Sequence, residues 1–94
     1  MKKFYLILGN ITFHHFTDEE MKHFKTDSER KALVHDVVSI TVFNNENDAG
    51  EYGENALGDT AESYLVIGSY TGEYAFENKK DARRFNSVVK FNEK

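Results

Sequence analysis

The stretch that decides the fold is Val-Val-Ser-Ile-Thr-Val-Phe-Asn at residues 37–44. Most of its side chains are β-branched or aromatic, and such residues favour extended backbone over helix. We therefore predict a strand over residues 37–44 and place it in the centre of a sheet.

Two shorter β-type runs precede it, Lys3–Leu8 and Ile11–Phe16, and only Gly9-Asn10 separates them. A two-residue spacing of this kind predicts a β-hairpin, and pairing Leu8 with Ile11 gives a consistent register. Gly-Asn can also mark a bulge inside one longer strand. The sequence leaves both interpretations open.

Two Thr-x-x-Glu motifs lie between these runs and the central stretch, at Thr17–Glu20 and at Thr26–Glu29. In this motif the threonine oxygen accepts from an early helix amide while the glutamate reaches back to the capping residue. We therefore predict two short helices, one starting after Thr17 and one after Thr26.

The C-terminal third predicts a second hairpin and a helix. Ser63–Tyr70 and Glu73–Glu77 alternate in polarity around Thr71-Gly72, which is the spacing of two paired strands and their turn. Asn78 can cap a helix running from Lys79 to about Phe91. The apolar stripe of that helix comprises Ala82, Phe85, Val88 and Val89.

These elements describe one domain. A chain of 94 residues is long enough for a single core and too short for two. The predicted order is β-β-α-α-β-β-β-α over residues 1–94. We therefore expect an α+β fold of two layers, with an antiparallel sheet of four to five strands and the helices on one face.

Residues 44–62 are the most acidic part of the chain and carry few large apolar side chains. We predict a long loop here, and a loop of this length in a compact domain is usually mobile or functional. It can dock on a basic protein surface, with charge setting the association rate and a tyrosine supplying a buried contact. The alternative is a loop that is only solvated. The candidate partner-binding residues are Glu46, Asp48, Glu51, Tyr52, Glu54, Asp59 and Glu62.

Charge is strongly segregated along the chain. The net charge is -4, yet residues 32–78 contain no lysine or arginine, whereas residues 79–94 are rich in both. A fold with poles of opposite charge steers charged partners. The basic segment supplies a second candidate site, for nucleic acid, at Lys79, Lys80, Arg83 and Arg84.

The basic segment also carries a family resemblance. Lys79-Lys80-Asp81-Ala82-Arg83 resembles the Lys-Lys-x-Ala-Lys segment of double-stranded-RNA-binding domains, and the predicted order α-β-β-β-α from residue 28 onward is similar to theirs. The resemblance covers about two thirds of the chain. It implies that the start of the last helix contacts RNA phosphates.

Catalytic and metal-binding patterns are weak. The chain has no cysteine, which excludes disulfides, thiolate metal sites and cysteine nucleophiles. It contains neither a Gly-x-Ser-x-Gly elbow nor a phosphate-binding glycine loop. His14 and His15 point to opposite faces of a strand, and His23 and His35 are not spaced as helical metal ligands. We predict no enzyme activity, no cofactor and no metal.

The sequence therefore predicts a small, non-enzymatic, cytoplasmic binding protein whose acidic segment meets a basic partner such as a nucleic-acid-processing enzyme. Its composition is typical of phage and mobile-element accessory proteins, including inhibitors of host defence nucleases. Nucleic-acid binding is the alternative. No apolar run is long enough to cross a membrane. Exposed sheet edges and complementary poles would allow a homodimer.

Overall fold

The fold is seen in a computed structural model that describes residues 2–70 and 73–93. The elements are β1 (Phe4–His15), α1 (Asp18–Phe24), β2 (Arg30–Phe43), α2 (Glu46–Ala56), β3 (Ser63–Ile67), β4 (Glu73–Phe76) and α3 (Lys79–Asn92). The four strands form one sheet in the order β3-β1-β2-β4. The predicted α+β class is confirmed. The sheet is mixed, because β2 and β4 run parallel while the other pairs are antiparallel.

The N-terminal hairpin prediction is wrong, and the alternative of a bulged single strand is right. β1 runs through Gly9-Asn10, with register shifts against β2 on both sides of that dipeptide. Gly9 is required there because a Cβ at this position would overlap the carbonyl oxygen of Asp36. The absent side chain therefore lets the two backbones approach closely.

The continuity of β1 changes which residues share a face. A hairpin would have grouped Ile11 with Leu6 and Leu8. In the unbroken strand Ile11 instead joins the buried cluster of Tyr5 and Ile7. Alternation along a strand therefore divides these side chains between the two faces of the sheet.

One of the two capping motifs starts a helix. Thr17 caps α1, since its hydroxyl accepts from the Glu20 amide at 3.1 Å and its own amide donates to the Glu20 carboxylate at 3.1 Å. The Thr17 amide holds the pKa of the Glu20 carboxyl below its ordinary value. The helix predicted after Thr26 does not form. Its place is taken by β2, which pairs with β1 over its whole length. Long-range pairing here overrides a local helix signal.

The C-terminal hairpin prediction is also wrong. Both strands exist, but β3 pairs with β1 and β4 pairs with β2, so they lie on opposite edges of the sheet. The predicted turn at Thr71-Gly72 falls outside the described residues. Alternating polarity therefore identified the strands correctly but could not identify their partners.

Helices cover both faces of the sheet, so the prediction that they lie on one face is wrong. On one face Tyr5 and Ile7 pack with Phe85 of α3. On the other face Leu6 and Leu8 pack with small residues of α2. The predicted C-terminal helix and its Asn78 cap are confirmed, as is the packing of Val88 and Val89 onto the core.

The end of α3 is held to β1 through Tyr5. This side chain is only 4% exposed, and its hydroxyl donates to the Glu93 carboxylate at 2.9 Å. Its ring meets Phe85 edge-on at a centroid distance of 5.7 Å. Burial, followed by the adjacent Glu93 carboxylate, raises the pKa of Tyr5 to about 12.

This pKa predicts a pH dependence of stability. Because the pKa of Tyr5 lies above its ordinary value of 10.0, the neutral phenol stabilises the fold below pH 10, and this stabilisation is lost as the pH rises towards 12. At about pH 8, Tyr5→Phe should lower the free energy of unfolding by about 1 kcal/mol, since one hydrogen bond is removed. By about pH 11 the difference in free energy of unfolding between the two proteins should narrow, because only the native chain has a phenol at position 5, and that phenol ionises more readily in the unfolded chain. Urea unfolding of both proteins at the two pH values measures this. A difference in free energy of unfolding that does not change with pH would contradict the role given to Tyr5.

Candidate partner-binding surface

The acidic segment is largely helical. The prediction of a loop over residues 44–62 is wrong for residues 46–56, which form α2. Asn45 caps this helix, accepting from the amides of Asn47 at 2.7 Å and Asp48 at 3.2 Å. Acidic side chains in the first turn also suit the positive end of the helix dipole. Only residues 57–62 remain as a connection between α2 and β3.

A stripe of small residues places α2 on the sheet. Ala49, Gly53 and Ala56 follow at i, i+4 and i+7, and all three are buried. Ala49 and Ala56 pack with Leu6 and Leu8 of β1, and Gly53 faces the ring of Tyr64. A capping asparagine followed by this spacing was the signal that sequence reasoning missed, because none of the three is a large apolar residue.

All seven candidate partner-binding residues are exposed. Five lie on α2 and two lie in the connection that follows it. At 100° per residue, Glu51 and Glu54 project from the side opposite the buried stripe, while the other helix members lie on its flanks. We name this set the acidic surface: Glu46, Asp48, Glu51, Tyr52, Glu54, Asp59 and Glu62.

In the part of the chain that the structure describes, the carboxylates of the acidic surface form no ion pair. Within residues 2–70 and 73–93 the ion pairs are His14–Glu20 at 3.1 Å and His35–Glu77 at 2.8 Å. Neither pair includes a carboxylate of the acidic surface. Six exposed carboxylates on one helix and its connection create a negative field that extends into solvent.

Tyr52 supplies a partly ordered aromatic group within this surface. Its ring packs against Phe43 at a centroid distance of 5.7 Å and an interplanar angle of 54°. The side chain nevertheless remains 53% exposed. An aromatic residue held by one neighbour and open on its other side can be buried by a partner at little cost in side-chain entropy.

A second tyrosine orients one carboxylate of the acidic surface. Tyr64 of β3 donates from its hydroxyl to Glu54 Oε1 at 2.7 Å. This hydrogen bond, followed by burial, raises the pKa of Tyr64 above its ordinary value. The contact ties the outer side of α2 to the edge strand beneath it.

The basic candidate site lies on the other face of the sheet. Lys79, Lys80, Arg83 and Arg84 are exposed in the first half of α3. Arg84 Nη1 also donates to the carbonyl oxygen of Val37 at 3.5 Å. The structure therefore separates the two candidate sites by the thickness of the sheet and does not bring them together.

The resemblance to double-stranded-RNA-binding domains is not supported by the fold. From Arg30 onward the order is β-α-β-β-α, where the resemblance requires α-β-β-β-α. The last three strands do not pair with one another in succession, since β1 lies between β3 and β2. The start of α3 therefore resembles that family in its basic residues and not in the fold around them.

The histidines do not converge. Among residues 2–70 and 73–93, no three His, Cys, Asp or Glu side chains are grouped so that they could hold a metal ion. His35 contacts two elements, with its Nε2 2.9 Å from Thr12 Oγ1 and its Nδ1 2.8 Å from Glu77 Oε2. These contacts join β1, β2 and the end of β4.

Comparison with known proteins finds no matching protein-family model, no matching curated protein and no matching solved structure. In the described part of the chain, no helix combines the length and the apolar character needed to cross a membrane.

Two glycines of α2 test how closely the helix lies on the sheet. A Cβ at Gly53 would lie 2.6 Å from Cδ2 of Tyr64, whereas a Cβ at Gly50 would have nothing within 4 Å. We expect Gly53→Ala to lower the free energy of unfolding by about 1–2 kcal/mol through overpacking. Gly50→Ala should raise it by about 0.5–1 kcal/mol, because alanine favours helix. Chemical denaturation measures both. Equal effects of the two substitutions would contradict the close packing at Gly53.

Proposed function

We propose that this protein is a small, non-enzymatic, cytoplasmic binding protein whose acidic surface docks on a basic surface of a protein partner. The observation that carries the proposal is the exposure of six carboxylates on one rigid helix and its short connection, without a lysine or arginine counterpart among the described residues. Burying these carboxylates against apolar groups would be unfavourable because they would lose their hydration, whereas a basic surface compensates their charge.

The geometry suits a partner that normally binds nucleic acid. The eleven residues of α2 span about 16 Å, and four of the carboxylates lie along that length. A nucleic-acid-binding surface presents lysine and arginine side chains arranged to meet a row of phosphates. Carboxylates on a preformed helix can meet the same side chains with little ordering cost. A protein that binds in this way would compete with the nucleic acid and act as an inhibitor.

Tyr52 adds a contact that charge alone does not provide. Charged groups at the rim of an interface mainly raise the association rate, whereas a buried aromatic residue slows dissociation. Tyr52 lies on a flank of α2, is half exposed, and is already positioned by Phe43. We therefore assign the carboxylates to recognition and Tyr52 to retention of the partner.

The test compares capture of proteins from a host-cell lysate by the native chain and by two charge variants. The first variant neutralises the acidic surface: Glu46→Gln, Asp48→Asn, Glu51→Gln, Glu54→Gln, Asp59→Asn and Glu62→Gln. The matched control removes six exposed carboxylates elsewhere: Asp18→Asn, Glu19→Gln, Asp27→Asn, Glu29→Gln, Asp36→Asn and Glu73→Gln. Circular dichroism confirms that each variant is folded.

The native chain and the control variant should retain the same partner at low salt, and the acidic-surface variant should lose it. Individual exposed charge pairs contribute about 0.2–1 kcal/mol each, so we expect the purified partner to bind the acidic-surface variant at least about 10-fold more weakly. Binding of the native chain should also weaken with rising salt. Equal retention of one partner by all three proteins would exclude the acidic surface as the site.

Nucleic-acid binding by α3 is the second candidate function, because Lys79, Lys80, Arg83 and Arg84 are exposed and in no ion pair among the described residues. Gel retardation with duplex RNA and duplex DNA at low salt distinguishes the two. Retardation whose salt slope falls by about one for each lysine removed would favour this second function. A protein that inhibits by docking its acidic surface should cause no retardation.

A further inference from the structure

A cleft runs along the outer edge of β3. Leu65 packs in the core cluster that contains Phe85, whereas Tyr64 and Val66 pack in the cluster that contains Ala49, so these successive residues point to opposite faces of the sheet. All three nevertheless line one cavity of about 470 Å³. A cavity bordered by residues of both faces lies along the edge of the strand and not on either face. We name this cavity the β3 cleft.

The main chain of β3 is unpaired on the side of the cleft. β3 is the first strand in the order of the sheet, and it pairs with β1 on its inner side. In an antiparallel pair, alternate residues direct their N–H and C=O groups away from the partner strand. Among residues 2–70 and 73–93, no backbone hydrogen bond reaches the outer side of Tyr64, Leu65 or Val66. The β3 cleft therefore offers main-chain donors and acceptors to an extended segment.

Arg30 supplies a positive group in the same cleft. Its guanidinium carbon lies 4.6 Å from the ring centroid of Phe13 and 5.3 Å from that of Tyr70, and all three side chains line the cavity. Arg30 is exposed and takes part in no ion pair within the described part of the chain. Because the two rings restrict the guanidinium, its in-plane N–H groups can bind a carboxylate with little ordering cost.

Glu46 supplies a negative group. This first residue of α2 also lines the β3 cleft, and it forms no ion pair with Arg30. The cleft thus holds two opposite charges that do not neutralise each other by direct contact. A nucleic acid strand would bring only negative groups, and Glu46 would repel them. A peptide can bring an acidic side chain to Arg30 and a basic side chain to Glu46 while its main chain pairs with β3.

We propose that the β3 cleft binds an extended segment of a partner protein, which adds to β3 as a further strand and carries both an acidic and a basic side chain. An apolar side chain of the segment would cover Phe13, which is 39% exposed at the wall of the cleft. Glu46 also belongs to the acidic surface, so the two sites adjoin. Strand addition does not depend on the proposed function of the acidic surface, because Arg30 and the edge of β3 lie outside that set.

The first test selects peptides from a phage-displayed library of random dodecapeptides on the native chain. The enriched peptides should combine an acidic and a basic residue with β-branched or aromatic residues between them. A synthetic copy of an enriched peptide should bind Arg30→Gln at least about 10-fold more weakly, because one charge-assisted pair is lost. Arg30→Lys should give an intermediate affinity, since it keeps the charge without the planar fork. Arg83→Gln, at an exposed arginine of α3, is the matched control and should bind as the native chain does.

Glu46→Gln tests the negative group separately. It should weaken the same peptide about 2- to 5-fold, which is the weight of one exposed charge pair. Circular dichroism shows whether each variant is folded. A library that yields no enriched peptide, or a peptide that binds Arg30→Gln and the native chain equally, would overturn the proposal. Loss of lysate capture by the acidic-surface variant together with unchanged peptide binding by Arg30→Gln would support the acidic surface and exclude the cleft.

The second test asks whether the peptide pairs with the main chain of β3. Amide hydrogen exchange is measured by nuclear magnetic resonance with and without the enriched peptide. The outward-facing amides of residues 63–67 should exchange at least about 10-fold more slowly in the complex, whereas those of residues 38–43 should not change. Protection of residues 38–43 alone, or no protection at β3, would contradict strand addition. Light scattering examines the free chain, and a dimer that Arg30→Gln dissociates would assign the cleft to a second copy and overturn the proposal.

Discussion

The antiparallel pairing of β1 with β2 is the interaction on which the rest of the structure depends. It extends from Phe4 opposite Phe43 to His15 opposite Arg30, and it is longer than the pairing of β1 with β3 or of β2 with β4. This ribbon provides both faces on which the helices pack and both sides to which the short strands add. Gly9 allows the ribbon to continue through its bulge, because a side chain there would overlap the Asp36 carbonyl.

The two faces of the ribbon take helices of opposite charge by different packing. α2 contacts the sheet through Ala49, Gly53 and Ala56, so its backbone lies close to the sheet, and its acidic side chains are exposed. α3 is anchored instead by Phe85, which is 2% exposed and in ring contact with Tyr5. Because the sheet separates the helices, their carboxylates and ammonium groups do not neutralise one another. The charge segregation of the sequence is thereby preserved as two opposed surfaces.

The short edge strands leave part of the central ribbon without a neighbouring strand. β3 and β4 each cover only one end of the ribbon, on opposite sides, so part of β2 retains an open edge. The acidic helix on one face adjoins this open edge, because Tyr52 packs against Phe43. We propose that the acidic helix recognises positive charge on a partner.

The features that the sequence determined by itself are those that depend on neighbouring residues. These include the strand at residues 37–44, the Thr17 cap of α1, the Asn78 cap and apolar stripe of α3, and the exposure of the acidic residues. Only the tertiary structure decided which elements are partners. Thr26 begins no helix because the residues after it pair with β1, and Ser63–Ile67 does not pair with Glu73–Phe76 because each finds an open side of the ribbon. The physical reason is that capping and alternation act over a few residues, whereas strand pairing and helix packing are decided by contacts between residues far apart in the chain.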